Sequence, residues 1–384
     1  MLNTELLQPS APKPICNRDE TLKKMDRESA LALPARERLR WFYLQRVGHP
    51  ELERVTAQVK QLLEPDNDTK IVSVVGMPSI GKTTLAESLC ELLEECDQED
   101  LHSSEIPLLY ARTPANGEKA LSWVGFYNAV LEAGQEMLIS KRREVVEVGG
   151  RLQLIRGGRP TLHELRGLIE RMLRNRNVRY LVIDEVMHLL RTKQYEHVMD
   201  TLKSLADAHA TKLVLLGAND LAELITNYGQ VARRGEIVHY RPYPTSANPI
   251  DAPGAAFLGL TQVPDAQKPF VDQLAKFQRQ WPCQEVPDLV GIWPLFLDPC
   301  LGSIGLLKLA VLRLAALQMK AKKERFAPAM LGRCFKPKKQ LKVILSEAEK
   351  INGYLKDAAY GDSPLGSRDR VIELYHLHLQ RKAA

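Results

Sequence analysis

The chain has 384 residues, 45% hydrophobic, 26% charged and 6% aromatic, and its 53 Lys+Arg against 47 Asp+Glu leave a formal charge of +6. Those are globular proportions, which exclude a disordered or fibrous chain, and at roughly 150 residues per domain the length gives two or three structural units. The mild basic excess permits nucleic acid as a partner without requiring it. The six cysteines (Cys16, Cys90, Cys96, Cys283, Cys300, Cys334) show no C-x-x-C spacing and no accompanying His pair, so zinc modules are set aside and the thiols read as reduced, as in the cytoplasm. The opening MLNTELLQPSAPKP has neither a basic nor an apolar signal region, so no secretory leader is expected. The most apolar stretch, Leu301 to Leu317, carries Lys308 and Arg313 and is too short to span a bilayer, so no membrane partner is expected.

In chain order, residues 1–35 read as a loose proline-containing arm. Helical spacing then runs from Pro34 to Leu63, with Pro50 and Pro65 bracketing the second helix. From Lys70 the texture changes. IVSVVG (71–76) is a buried-strand run, followed by the helix TTLAESLCELLEEC. A strand over Ile106–Arg112, a helix near 123–134 and a helix over 162–175 lead into the strand YLVID (180–184). Then come a helix over 195–209, the strand KLVLLG (212–217), the helix LAELITNYG and the strand EIVHYRPY. Short apolar strands alternating with helices predict a parallel sheet covered on both faces. After Pro244 the chain turns loop-rich, and FVDQLAKFQRQW and SIGLLKLAVLRLAALQ predict a small helical domain. Residues 320–342 hold nine basic residues and one acid, and a last amphipathic stretch, RDRVIELYHLHL, follows.

Gly76-Met-Pro-Ser-Ile-Gly81-Lys82-Thr83 matches G-x-x-x-x-G-K-[ST], and a strand precedes it and a helix follows. Glycines let backbone N–H groups wrap a phosphate, and the helix offers its positive N-terminus to the anion. Lys82 reaches the β- and γ-phosphates of ATP and the Thr83 hydroxyl ligates Mg²⁺; Gly76, Ser79, Gly81 and Thr84 complete the nucleotide-binding set. About a hundred residues on, Asp184 ends a strand where it can hold the Mg²⁺ shell, and Glu185 can polarise the attacking water. That pair argues against a small-molecule kinase, which positions an acceptor instead. Asn219, after the strand 212–217, is placed to orient the water or to cap the next helix. Arg233 and Arg234 precede the last strand, as an arginine finger toward a neighbouring subunit or as compensation of a helix dipole. Trp41 and Tyr43 are either core aromatics or packing at the adenine edge.

With these five elements in order, the chain resembles the AAA+ ATPases over roughly Arg40 to Gln318. It is similar above all to the ATP-dependent transposition regulators of Tn7-like and Tn5053-like elements, the TnsC/TniB family. PLLYARTPANGEKALSWVGFYNAVLEAGQ, RYLVIDEVMHLL with KLVLLGANDLAELI, and FVDQLAKFQRQWP with GSIGLLKLAVLRLAALQ carry that resemblance. Two departures stand out: His188 lies one place later than in the family's Asp-Glu-x-His, and Lys308 is the nearest cation to the sensor-2 place, where the family has arginine. The resemblance implies an α/β P-loop core on a five-stranded parallel sheet (51–247), after an N-terminal arm and helix (1–50). A helical lid (248–325) and a basic, partner-binding C-terminal extension (326–384) follow.

The resemblance also implies a bacterial, DNA-associated protein with slow ATP hydrolysis. It would assemble on duplex DNA as a ring or filament of about six or seven subunits per turn. It would link a TniQ/TnsD-like targeting factor to a transposase, and hydrolysis would disassemble it. Backbone contacts to DNA need Lys or Arg and carry no sequence reading. Lys119 is the first candidate, because the resemblance places its loop toward the ring lumen. Lys141, Arg142 and Arg143, then Arg151, Arg156 and Arg159 beside Gly-rich turns, are the others, each also readable as solvated surface charge. Two other classes remain open. A helicase loader or initiator would carry a winged helix after the lid, and a STAND-type signalling ATPase would hydrolyse ATP without DNA and carry repeats.

Overall fold

The computed structural model describes residues 16–96, 105–114, 123–135, 143–148, 151–156, 160–186, 189, 195–209, 211–227, 235–257, 260 and 262–357. In chain order the helices are α1 (Cys16–Lys24), α2 (Arg27–Leu31), α3 (Ala35–Leu44), α4 (Pro50–Leu63), α5 (Lys82–Cys96), α6 (Trp123–Ala133) and α7 (Leu162–Asn175). They continue with α8 (Tyr195–His209), α9 (Asn219–Asn227), α10 (Lys268–Arg279), α11 (Pro294–Leu297), α12 (Ile304–Met319), α13 (Leu331–Cys334) and α14 (Lys338–Asp357). The strands are β1 (Ile71–Gly76), β2 (Leu108–Arg112), β3 (Arg143–Val148), β4 (Arg151–Arg156), β5 (Tyr180–Asp184), β6 (Lys212–Gly217) and β7 (Gly235–Tyr240). The chain forms two compact units: residues 1–50 with 242–342, and residues 51–241 with 343 onward.

The second unit is an α/β layer structure. Its five-stranded sheet runs in the order β2-β5-β6-β1-β7 and every neighbouring pair is parallel. Parallel pairing demands crossovers, and the helices between the strands supply them. β1 and β6 are buried along their whole length, which is why both read as unbroken apolar runs. Beneath one face lie Phe126, Val130 and Leu131 of α6, Leu165, Ile169 and Leu173 of α7, and Leu202 and Leu205 of α8. Ile351 and Leu355 of α14 join this cluster. α7 starts with a capping box, in which the Thr161 hydroxyl accepts from the Glu164 N–H and the Glu164 side chain reaches back to Thr161 N. At the N-terminal end of the central strand β6, Lys212 Nζ donates to the carbonyls of Glu64 (2.6 Å) and Asn67 (2.9 Å), tying the end of α4 to the start of β6.

The register aligns the strands' C-terminal ends. Gly76 stands opposite Tyr240, Val75 opposite Gly217, and Arg112 opposite Asp184. One rim of the sheet therefore collects the residues that follow β1, β2, β5, β6 and β7. β3 and β4 form a separate antiparallel pair with Arg143 opposite Arg156 and Val148 opposite Arg151. The arginines expected after a helix and beside Gly-rich turns, Arg143, Arg151 and Arg156, are strand positions of a hairpin. The alternation in REVVEV and RLQLIR around Gly149-Gly150 is the pattern that specifies one.

The first unit is helical. Phe42 of α3 packs edge-on against Phe277 of α10 and against Trp281, with ring centroids 6.1 and 5.6 Å apart. Trp41 is buried in the same cluster, and its indole N–H donates to Met25 O. Residues 16–31, expected as part of a loose arm, form α1 and α2. Asp26 caps α2 by accepting from Ser29 N, while Arg27 donates to the carbonyls of Trp281 and Cys283, both at 2.8 Å. Gln318 of α12 accepts from the Trp281 indole and donates to the carbonyls of Glu285 and Glu324. Buried Asp298 accepts from Ser246 N, Ser246 Oγ and Gly254 N, which fixes the turn-rich segment after Pro244. Among the described residues, no helix is long and apolar enough to cross a membrane.

Candidate active site

β1 ends at Gly76, and Met77 to Gly81 turn the chain into α5. Met77 and Ile80 are buried and anchor the loop from below. A side chain at Gly76 would meet Ile80 Cγ2 at 3.0 Å and Tyr240 O at 3.1 Å, and Gly81 has φ +119°. Both positions need glycine, the first for close approach and the second for its backbone angle. Ser79 also lies in the left-handed region, at φ 62°. The loop opens at the N-terminus of α5, where the first N–H groups of the helix lack intrahelical acceptors and suit an anion.

Lys82, the first residue of α5, folds back over this loop. Its Nζ donates to Gly76 O (2.8 Å) and Met77 O (3.0 Å). Burial pushes its pKa down to about 8, partly offset by Asp184, Glu347 and Glu185. Thr83 Oγ1 donates to Asp184 Oδ2 at 3.2 Å. Asp184 is buried at the end of β5; its Oδ2 also accepts from the Tyr110 hydroxyl at 3.0 Å, and its Oδ1 from Glu185 N at 2.8 Å. The hydroxyl and carboxylate oxygens of Thr83 and Asp184, side by side, are the hard donor set that suits Mg²⁺.

Glu185 has φ 57°, a left-handed backbone in a non-glycine residue at the sheet rim. Such conformations are held by their surroundings and concentrate at active sites. Here Val186 N donates to Leu216 O, and Thr113 N donates to Asp184 O. The Glu185 carboxylate is paired with Arg112, whose Nη2 lies 2.5 Å from Oε1. Asn219 begins α9 just beyond β6, and its Oδ1 is buried with no hydrogen-bond partner among the described residues. A buried acceptor left open in this way is the kind of group a ligand or water satisfies.

Gly76, Ser79, Gly81, Lys82, Thr83, Asp184, Glu185 and Asn219 thus follow or end β1, β5 and β6 at the aligned rim, and Thr84 is the third residue of α5. Lys308, the sensor-2 candidate, donates to Gln45 O at 3.1 Å and lies 5.2 Å from the Tyr43 ring centroid, all within the first unit. Trp41 is a core aromatic, whereas Tyr43 is 51% exposed. Arg233, Arg234, Lys119, Lys141, Arg142, Arg159 and His188 lie outside the described residues. Arg151 and Arg156 are the two ends of β4. Sequence reasoning missed Tyr110 and Arg112. Both sit in a strand read only as an apolar run, and they gain meaning from its pairing with β5.

A P-loop over a helix N-terminus, with an acidic pair on a strand two places away, defines a nucleotide-hydrolysing P-loop ATPase. Residues 66–225 match the family model described as AAA domain. The core is an AAA+ ATPase domain: an α/β fold on a five-stranded parallel sheet that binds ATP. No curated protein matches the chain. Among solved structures, the Saccharomyces cerevisiae Hsp104–ADP complex is similar at 15% identity with a TM-score of 0.36, over 88% of this chain and 42% of that one. The chain thus spans less than half of the Hsp104 chain.

Proposed function

We propose that this protein is an ATP-controlled regulator of DNA transposition. With ATP bound it assembles on duplex DNA as a ring or filament and links a target-selecting factor to a transposase, and hydrolysis releases it. Support for the ATPase part is the AAA domain and its site. Support for the transposition part is the resemblance carried by the stretches around Pro107–Gln135, Arg179–Ile225 and Phe270–Gln318.

The chemistry follows from the rim. Lys82 binds the β- and γ-phosphates, and the α5 N-terminus and loop N–H groups hold their oxygens. Thr83 and Asp184 would hold Mg²⁺, which would supply charge neutralisation on those oxygens. Glu185 accepts a proton as water attacks the γ-phosphorus; the bond to the β–γ bridging oxygen breaks, and ADP and phosphate leave. Asn219 Oδ1 orients that water. Arg233 and Arg234, from a neighbouring subunit, meet charge developing on the γ-phosphoryl group, which makes assembly a condition of turnover.

The Arg112–Glu185 ion pair is the observation that favours DNA control. While it holds, the carboxylate that must polarise water is engaged by a cation. Arg112 ends β2, and the chain runs from it directly into the stretch containing Lys119. A phosphate bound there competes for Arg112 and frees Glu185, so DNA and hydrolysis meet at one junction.

The test is duplex DNA binding with ATP, ADP or no nucleotide at low and moderate salt, with negative-stain imaging of the same samples. Rings or filaments on DNA only with ATP, weakening as salt rises, are expected. ATP binding without DNA binding in any state would overturn the reading in favour of a signalling ATPase.

A further inference from the structure

Asp184 is oriented by three donors from three different places. Glu185 N fixes Oδ1; the Thr83 hydroxyl of α5 and the Tyr110 hydroxyl of β2 converge on Oδ2. Thr83 and the Asp184 carboxylate are parts of any P-loop site that holds a metal. Tyr110 is not: it belongs to the neighbouring strand and stands opposite Val182, two residues before Asp184. Leu109 and Ala111 face the apolar cluster, so strand alternation turns Tyr110 and Arg112 to the other face of the sheet. From there the phenol reaches diagonally up the sheet to the carboxylate. The distance of 3.0 Å is an ordinary hydrogen bond to a charged acceptor.

A buried carboxylate rotates unless its oxygens are held, and a hard cation needs oxygens at fixed places. When Thr83 turns a lone pair to a cation, its proton remains available to Oδ2. The second proton on that oxygen comes from Tyr110. With a bare ring in its place, Oδ2 loses one of its two hydroxyl donors while the strand, the loop and Lys82 are left as they are.

We propose that Tyr110 is a positioning residue of the metal shell, whose hydroxyl sets the rotation of the Asp184 carboxylate and thereby the preference of the site for Mg²⁺–ATP over metal-free ATP. The assignment rests on the ATPase reading of the site. It makes no use of DNA, so it stands or falls apart from the transposition reading.

The experiment compares the full-length protein with Tyr110→Phe by titrating ATP in excess Mg²⁺ and ATP in EDTA, following binding directly. Removing an outer partner of a metal ligand costs about tenfold or more in metal affinity. The ratio of Mg²⁺–ATP to metal-free affinity should therefore fall about tenfold, with metal-free affinity unchanged, and the Mg²⁺ midpoint for hydrolysis should move up. An unchanged ratio overturns the proposal. So does a parallel loss of both affinities, the signature of a merely structural tyrosine or of a variant that folds poorly. In an Asp184→Asn background the Tyr110→Phe change should add nothing, and an additive effect on the ratio also overturns it. Failure of the unaltered protein to bind ATP in either condition would overturn the ATPase reading itself, an outcome separate from the others.

Discussion

Lys82 gives the site its own pH dependence. The folded, nucleotide-free protein carries this ammonium with a pKa of about 8, below the ordinary 10.5, chiefly because burial disfavours the charge. A bound phosphate favours the charged form, so binding above pH 8 must take up a proton. ATP affinity should be flat with pH below about 8 and fall by up to about tenfold per unit above it; titration calorimetry from pH 6.5 to 9.5 measures this, and a flat profile to pH 9.5 would contradict it. The sign for folding is opposite. Between pH 8 and 10.5 the unfolded chain holds a proton that the folded chain has released, so this group makes stability rise with pH across that window. The phosphate loop and the acidic pair were legible residue by residue, because their chemistry sits in a local spacing. Tyr110 and Arg112 were not, because each acts on a carboxylate more than seventy positions away, brought alongside by the β2–β5 register.

At the scale of elements, the five parallel strands and their crossovers follow from apolar runs alternating with helical periods, and the observed bounds lie close to the predicted ones. The β3–β4 hairpin escaped notice although its alternation is clear, since basic residues within it drew attention as charges instead of as strand positions. α1 and α2 escaped for a different reason. α1, CNRDETLKK, is almost wholly polar, and α2 is held by partners far along the chain, with Arg27 on the carbonyls of Trp281 and Cys283. α14 starts inside the basic run, yet its Ile351 and Leu355 are buried in the ATPase core. Ile351→Ala should therefore lower the stability of the second unit by about 2–4 kcal/mol through lost burial and a residual cavity. Denaturant unfolding followed on the purified protein measures it, and a change under about 0.5 kcal/mol, typical of a surface position, would contradict the packing.

For the whole molecule, the contacts gather the N-terminal helices with residues 242–342 and the ATPase core with the chain from Val343. Sequence order alone suggests four successive segments, because it does not show that α3 and α10 share one aromatic cluster or that α14 returns to the sheet. What unites the account is the proposal that the P-loop binds ATP and that Glu185, a residue left-handed in backbone and paired with Arg112, activates the water that cleaves it. The most direct measurement is ATP binding and steady-state hydrolysis by Glu185→Gln beside the unaltered protein. Glutamine keeps the shape and loses the base. The account predicts ATP affinity within a few-fold of the unaltered protein and turnover lower by about a hundredfold or more. Undiminished turnover in Glu185→Gln would contradict it.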